Sequence, residues 1–589
     1  MVENESFQKR VGGAKIFIGL LFVALLARLW YLQIVQGEKY RTLSRRNSIR
    51  ILNIPAPRGS MVDRNGQLLA GNTGSYQLCV LPATRSTKEK DSLADSVSAL
   101  LGLPRQDVLD KLECKDIPRY SPIILKPDLT PAEIQKVEEN LLCWQNVFVR
   151  QVSARFYPHG GLAAHVLGYV GSVSRQELAQ GNGKGYYSGQ IIGKDGIEKS
   201  LEEVLTGQQG VEELQVDAAG RLVDLLARKP ETAGAKVVLT LDVELQRVAE
   251  KALGSHTGCA ILMDSRNGEI LALASSPGIN SQKMAGGLSA AESAALFNDP
   301  RHPCVNRAFM SRYAPGSVFK IVTLFAALEA GVASPATSVV CSGSYKVGNH
   351  TFRCWRRSGH GRVDLRRAVA ESCDVFFYEM GQKVGIDRII EAAKKLGISG
   401  KTGVDLPGEI PSIIPDPAWK KEHYGTPWYT GDTINAAIGQ GFMNVTPLGL
   451  AVLTATVASQ GEIVTPHVVK KVEGAFRSPM PLLLDTNKTR HLEAKPSSWS
   501  IIRDGMRAAV TSPTGTAKAV GLPYVSVAAK TGSAESRPGT RPHAWFICFA
   551  PYDRPQVACV VMVEEGGAGG ETSAPIARLI LEAYFSRSR

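Results

Sequence analysis

Apolar residues fill IFIGLLFVALLARLWYLQIV (16–35) almost without interruption, a run long enough to cross a bilayer, with Trp30 and Tyr31 suited to its interface. Beyond it the pattern breaks into shorter pieces. Residues 40–235 mix strand-like runs, turns and charged helices. PAPRGSMVDRNGQLLAGN (55–72) carries the hairpin signal Asn65-Gly66, and RFYPHGGLAAHVLGYVG (155–171) sets turn formers beside a compact apolar run. KPETAG (229–234) reads as a linker. After it, AKVVLTLD predicts a strand, VELQRVAEKALG a helix, and CAILMDSRNGEILALASSP a hairpin closed at Asn267-Gly268. The far end mirrors this: VSVAAKTGS and the two halves of AWFICFAPYDRPQVACVVMVEEG predict strands, and PIARLILEAYF an amphipathic helix. Strands at both ends of a helical middle imply one sheet covered by helices.

Composition adds a class and a compartment. With 589 residues, 44% hydrophobic and 21% charged, the chain is expected to hold two or more folded domains. Its net charge is +13, and residues 1–50 alone hold nine basic and three acidic side chains, so about half of the excess belongs to the N-terminus. No zinc-finger, RNA-recognition or basic-zipper pattern accompanies that charge, so nucleic acid is not expected as a partner. An anionic membrane surface or cell-wall polymer fits better, beside the plainer reading of a solvated basic face. Lys9, Arg10 and Lys15 precede the apolar run, and no small-residue cleavage site follows it, as in a signal anchor. Arg28 must snorkel toward an edge. Lys39, Arg41, Arg45, Arg46 and Arg50 follow the run, so charge counting leaves orientation open. Ten cysteines are too few for a disulfide scaffold; Cys79, Cys259, Cys548 and Cys559 read as core, and His159 and His165 as packing or hydrogen-bonding histidines.

The chemistry begins at YAPGSVFKIVTLFAALEAG (313–331), a helix apolar on nearly every side whose first turn nevertheless holds Ser317 and Lys320. Three residues apart on a helix, they share a face. A serine hydroxyl needs an adjacent base to act as a nucleophile, and a lysine serves if burial or another cation depresses its pKa. Ser317 also offers a backbone N–H free to stabilise an oxyanion. Alone, Ser-x-x-Lys is common by chance. Two further pieces join it: AESCDVFFYEMG with Ser372 and Asp374, and VAAKTGSAE with Lys530, Thr531, Gly532 and Ser533 at a strand end, where Gly532 permits close backbone approach.

In order and setting, these match the Ser-x-x-Lys, Ser-x-Asn, Lys-Thr-Gly signature of penicillin-binding proteins and serine β-lactamases. The chain resembles the class B penicillin-binding proteins over nearly its whole length, through APRGSMVDRNG, RFYPHGGLAAHVLGYVG, GKDGIEKSLEEVLTG and the three motifs. HGRVDLRRAVAESCDVFFYE and WYTGDTINAAIGQG resemble most the elongation-type branch, penicillin-binding protein 2. Asp374 departs from the general signature, standing where most relatives have Asn; its carboxylate can hold Lys320 charged. The resemblance implies an α+β chain in four parts: a cytoplasmic tail (1–15), a single transmembrane signal anchor (16–36), an elongated, dimerisation-like pedestal (37–234) and a transpeptidase domain with an antiparallel sheet covered by helices (235–589).

It also implies a D-Ala-D-Ala transpeptidase inhibited by β-lactams. Ser317 is the expected nucleophile, Lys320 the base, Ser372 a proton relay, and Lys530 with Thr531 the anchor for the donor carboxylate. The oxyanion hole falls to the Ser317 and Ser533 amides. Catalysis needs no cofactor. Peptidoglycan stem peptides are the substrate, outside the cytoplasmic membrane, and a SEDS-family glycosyltransferase is the membrane partner. The closest rival is a division-type transpeptidase, against which Asp374 and Trp428-x-x-Gly431-Asp432-Thr433 count by resemblance. A serine β-lactamase would need a group that activates water for deacylation, and a β-lactam sensor would need a cytoplasmic signalling module, for which the residues before the anchor are few.

One cluster lies outside the signature. Cys341, Cys354, His360 and Cys373 fall within 33 residues, and three thiols with an imidazole make a tetrahedral zinc set of the structural kind. Cys373 lies between Ser372 and Asp374, so a ligand there would tether the second motif from behind. A Cys341–Cys354 disulfide, free thiols, or His350 in place of one ligand remain alternatives.

Overall fold

The computed structural model describes residues 2–40, 49–80, 87–113, 122–144, 147–179, 186, 190–216, 222–474, 489–536 and 539–587. Arg41, Arg45 and Arg46, counted above for orientation, lie outside them. The chain forms two compact units that interleave in sequence: Met1–Pro57, Gly74–Val152 and Gln208–Thr232 in one, and Arg58–Thr73, Ser153–Gly207 and Ala233–Arg589 in the other.

In the first unit the N-terminal helix runs Val2–Trp30 and continues as a wider π turn, Tyr31–Val35. The stretch apolar enough to span a membrane is Val11–Val35, starting five residues before the sequence expectation because Gly12, Gly13 and Ala14 extend the uncharged run past Lys15. Arg28 places its guanidinium 5.6 Å from the centre of the Tyr31 ring, one turn toward the interface. The unit also holds an antiparallel sheet of Ile49–Ile54, Gly210–Val216 and Leu222–Lys229. A small core packs Leu93, Val97, Val108 and Val137 of three helices against Leu78, Val80 and Leu125.

Three of the quoted N-terminal segments converge within the second unit. Glu198, fully buried, receives Arg155 Nε (2.6 Å), the Tyr157 hydroxyl (3.0 Å) and Arg58, while Arg58 Nη2 also reaches Glu202 (2.6 Å). Burial pushes the Glu198 carboxyl up, but Arg155 and Arg58 outweigh it and leave its pKa lowered. The run read as a linker is partly packed: a Cβ on Gly234 would fall 1.9 Å from the Leu205 carbonyl oxygen.

The larger part of this unit is a three-layer sandwich. Its sheet comprises β1 (Gly258–Asp264), β2 (Ile270–Ser276), β3 (Ala528–Ala534), β4 (His543–Ala550) and β5 (Val557–Val563), in the order β2-β1-β5-β4-β3 with every pair antiparallel. The helices around it are α1 (Val243–Leu253), α2 (Lys320–Glu329), α3 (Leu365–Ala370), α4 (Asp374–Val384), α5 (Thr430–Ala437), α6 (Pro447–Ala458), α7 (Pro496–Thr511) and α8 (Ser573–Ser586). Central strands are buried on both faces, which is why they read as unbroken apolar runs. Successive residues still divide by face. Ala260, Phe546, Cys548 and Val561 pack with Leu245 and Ala249 of α1 and with Ile580 of α8, whereas Ile261, Trp545, Ile547 and Val560 join the core of α2 and α6.

α2 is enclosed on all sides, every residue from Lys320 to Leu328 being buried. The helix begins later than its pattern suggests: Gly316–Phe319 is a 3₁₀ turn, so Ser317 precedes the α-helix rather than opening it. α4 is positioned by α5, and the crossing is close because Gly381 faces Ala437; a Cβ on Gly381 would lie 2.3 Å from the Ala437 Cβ. Gly381→Ala is therefore expected to lower stability by about 1–3 kcal/mol. Adding Ala437→Gly should recover most of the loss in urea denaturation, a recovery that a general loss of helix packing would not give.

Candidate active site

β3 is an edge strand, and the 3₁₀ turn carrying Ser317 lies against it with almost no side chain between the two backbones. A Cβ on Gly532 would stand 3.0 Å from Val318 Cγ1 and 3.3 Å from Val318 N. Gly316, at φ +55°, has no room for a Cβ beside the Ser533 carbonyl oxygen (2.4 Å), and its N–H donates to Gly439 O at 2.9 Å. Ser317 is thus brought next to Gly532 and the exposed Ser533 by backbone fit alone.

Two lysines meet behind it. Lys320 and Lys530 are both fully buried, and both donate to the Ser372 hydroxyl, at 3.2 and 2.8 Å. Lys320 Nζ also reaches Ser372 O (2.9 Å) and Asp374 Oδ1 (2.6 Å), and Lys530 Nζ its neighbour's carbonyl, Thr531 O (2.8 Å). The bonds of Lys320 therefore go to the second motif and not to Ser317. Burial, followed by the charge of Lys320, drives the Lys530 pKa well below its ordinary value, with Asp374 opposing. Thr531 is buried and its hydroxyl donates to Thr516 Oγ1 at 2.8 Å.

The second motif sits in strained backbone: Ser372 has φ +55°, unusual for a residue with a Cβ. Its neighbours hold it there. Trp355 donates its backbone N–H to Asp374 Oδ2 (2.7 Å) and its indole N–H to the carbonyls of Glu371 and Ser372 (both 3.1 Å), while its ring is 56% exposed. Trp355 and Thr516 escaped the sequence reading. The available signal for Trp355 was its place directly after Cys354, inside an otherwise polar insert; Thr516 has none beyond a short T-G-T run.

Cys373 stands at the N-cap of α4, and it joins Cys341, Cys354 and His360. All four are buried, their ligating atoms lie within 4.8 Å of one another, and His360 Nδ1 is 3.5 Å from the sulfurs of both Cys341 and Cys354. A thiol hydrogen bond from Cys373 lowers the Cys354 pKa, against the effect of its burial. No disulfide joins the three sulfurs, and His350 lies apart, its ring edge-on to Phe352 at 4.6 Å.

Known proteins match the chain over most of its length. The family model described as penicillin binding protein transpeptidase domain matches residues 258–582, and the penicillin-binding protein dimerisation domain matches 53–239. The peptidoglycan D,D-transpeptidase MrdA of Haemophilus influenzae is 33% identical over 99% of this chain and 93% of its own length. Penicillin-binding protein PBP2 of Helicobacter pylori, solved in complex with MreC, superposes with a TM-score of 0.83 at 28% identity, covering 92% of this chain and 100% of that one. A structure described as structural coordination of polymerization and crosslinking by a peptidoglycan synthase complex superposes at 0.72 with 30% identity, covering 98% of each chain.

Because Asp374 accepts from both Lys320 and the Trp355 amide, Asp374→Ala leaves a buried lysine and a backbone N–H without their acceptor, and a loss of about 3–5 kcal/mol is expected. Asp374→Asn keeps one acceptor oxygen but sets its NH2 against the other donor, so it should cost about 1–3 kcal/mol. Chemical denaturation of the two variants checks the difference; equal losses would mean the acceptor is not what matters.

Proposed function

The chain belongs to the penicillin-binding protein transpeptidase family, and from that membership we propose that it is a peptidoglycan D,D-transpeptidase that cross-links stem peptides through a Ser317 acyl-enzyme during cell elongation. The observation that carries this reading is Ser372 Oγ held between two buried lysines, one from each of the other motifs. Ser317 attacks the carbonyl of the D-Ala-D-Ala bond; Lys320, once it has passed one proton to the Asp374 carboxylate it already bonds, takes the Ser317 proton, and a proton reaches the departing D-Ala nitrogen by way of Ser372. An amine from a second stem then takes the acyl group and restores the serine. Burial and the charge of Lys320 depress the Lys530 pKa, and an incoming carboxylate favours its protonated form. Lys530 thus binds the donor's terminal carboxylate together with Thr531. The amides of Ser317 and Ser533, adjacent because Gly316 and Gly532 lack side chains, receive the oxyanion. β-Lactams acylate the same serine, and the reaction needs no cofactor.

The remaining parts follow from this assignment. Residues 1–15 form a cytoplasmic tail, 16–36 a single-pass anchor in the cytoplasmic membrane, 37–234 the pedestal, and 235–589 the transpeptidase domain, placed outside the membrane where its substrate lies. A domain of that length translocates despite basic residues beside the anchor. Glycan polymerisation falls to a SEDS-family partner, a reading supported by the likeness to a chain of a peptidoglycan synthase complex, and MreC is a second partner by the likeness to the Helicobacter pylori protein. Cys341, Cys354, Cys373 and His360 Nδ1 would hold a structural zinc ion. The donor set fits: zinc with Zn–S bonds of about 2.3 Å spaces its ligand atoms by roughly 3.5–3.8 Å, and the two sulfur-to-imidazole separations are 3.5 Å. Such an ion supplies no chemistry to acyl transfer; Cys373 anchored to it fixes Ser372 and Asp374 from behind.

Ser317→Ala should abolish covalent labelling by a fluorescent penicillin with the fold intact by circular dichroism, and Lys320→Ala should slow labelling by several orders of magnitude. A folded Ser317→Ala protein that still forms a stable penicilloyl adduct would overturn the nucleophile. For the metal, elemental analysis should find about one zinc per chain, with Cys341, Cys354 and Cys373 alkylated only after chelation. Metal-free protein whose Cys341 and Cys354 peptides run joined until reduced would replace zinc by a disulfide and leave the transpeptidase unaffected.

A further inference from the structure

The loop 512–517 belongs to none of the three motifs, yet it touches two of them. Thr531 donates its hydroxyl to Thr516 Oγ1 at 2.8 Å, and Thr516 Oγ1 donates in turn to Ala370 O at 3.3 Å, two residues before Ser372. The Thr516 backbone N–H reaches the same carbonyl at 3.2 Å, and Thr514 Oγ1 donates to Glu371 Oε1 at 2.9 Å. On its other side the loop is fixed by backbone contact, since a Cβ on Gly570 would lie 2.6 Å from Thr516 O. We propose that Thr516 is a positioning residue for the transpeptidase reaction, setting the direction in which the Thr531 hydroxyl donates. This rests on the assignment of Thr531 to the donor carboxylate.

The argument turns on what a hydroxyl partner permits. At rest the Thr531 proton points inward, to Thr516, and is not offered to the cleft. A carboxylate accepts only, so Thr531 must turn its O–H outward to bind one. Had its resting partner been a carbonyl, that turn would leave two buried oxygens facing each other. Thr516 can instead reverse its own O–H and donate to Thr531, so the line Thr531–Thr516–Ala370 O becomes Thr516–Thr531–carboxylate with a hydrogen bond between the threonines in both states. Exchanging one set of satisfied bonds for another avoids leaving a buried polar group unpaired, which is where the larger free-energy penalty lies.

Thr516→Val keeps the shape and removes the hydroxyl. It is expected to weaken the noncovalent binding of a penicillin about tenfold while leaving the limiting acylation rate within about threefold of wild type. The methyl ester of the same penicillin, which lacks the anion, should label both proteins at the same rate, and Thr516→Ser should restore wild-type behaviour. In a double-mutant cycle, Thr516→Val should add nothing once Thr531 is replaced by Val. If Thr516→Val yields no folded protein by circular dichroism, Thr516→Ala is read in the same assays. Binding within twofold of wild type overturns the proposal, and so does an equal loss for free acid and ester, which marks a structural role. A wild-type protein that no penicillin labels would instead defeat the transpeptidase reading.

Discussion

Two lysine side chains buried beside one serine hydroxyl impose the constraint that the rest of the site answers. Each ammonium group loses its hydration, a penalty of several kcal/mol per ion even in relaxed protein interiors, and two like charges sharing a hydroxyl repel. Asp374 supplies the compensating anion to one of them at 2.6 Å. Burial, followed by the charge of Lys320, depresses the Lys530 pKa, and its hydroxyl and carbonyl partners bring no counter-charge. The pair is thereby made unequal: one lysine is matched to a resident carboxylate, and the other is left to be matched by the substrate's. Asp374, the departure from the general signature, sharpens this inequality relative to an asparagine, which has one acceptor oxygen for the Lys320 ammonium and the Trp355 amide together and brings no charge.

Such an arrangement works only if the groups cannot drift apart, and the fold meets that need with backbone. The turn at Ser317, strand β3 and the Gly439 segment interlock where Gly316, Gly439 and Gly532 each leave no room for a Cβ. A fourth glycine, Gly569, lies against the carbonyls of Trp545 and Gly532 in the same way. Side chains at these points would hold the nucleophile away from the oxyanion amides by the width of a methyl group. The glycines therefore make contact between elements distant in sequence, at the known expense of conformational entropy on folding.

This division explains how much could be read in advance. Apolar patterning located β1, β2, β4, β5 and α8, because strands buried on two faces and an amphipathic helix leave strong periodic traces. Ser317, Lys320, Ser372, Asp374 and Lys530 were legible as residue types at fixed spacing, and their convergence needed the resemblance to suggest it. What stayed hidden was of two kinds. The 3₁₀ geometry at Ser317 arises from packing against β3, and no local propensity announces it. Trp355 and Thr516 act through a few hydrogen bonds each, such as those across 17 and 15 residues to Ser372 and Thr531, and a sequence pattern has no period for that.

The second motif collects these influences at one strained residue. A non-glycine backbone in the left-handed region costs on the order of 1–3 kcal/mol and persists only where its surroundings over-determine it. Around Ser372 the determination comes from every side: Ala370 O is held by Thr516, Glu371 O and Ser372 O by the Trp355 indole, Ser372 O again by Lys320, and the following residue is Cys373 of the thiol cluster. The Ala370 carbonyl thus turns to Thr516 while the next two converge on the Trp355 indole, a divergence that a regular helix running through to α4 would not allow, because its carbonyls run parallel. The left-handed turn at Ser372 breaks that alignment. It also aims the hydroxyl at both lysines while Cys373 joins the thiol cluster. A relaxed backbone at this position would align the carbonyls and lose either the relay hydroxyl or the tether, so the strain at Ser372 is the geometric condition for joining the cleft to the cluster behind it.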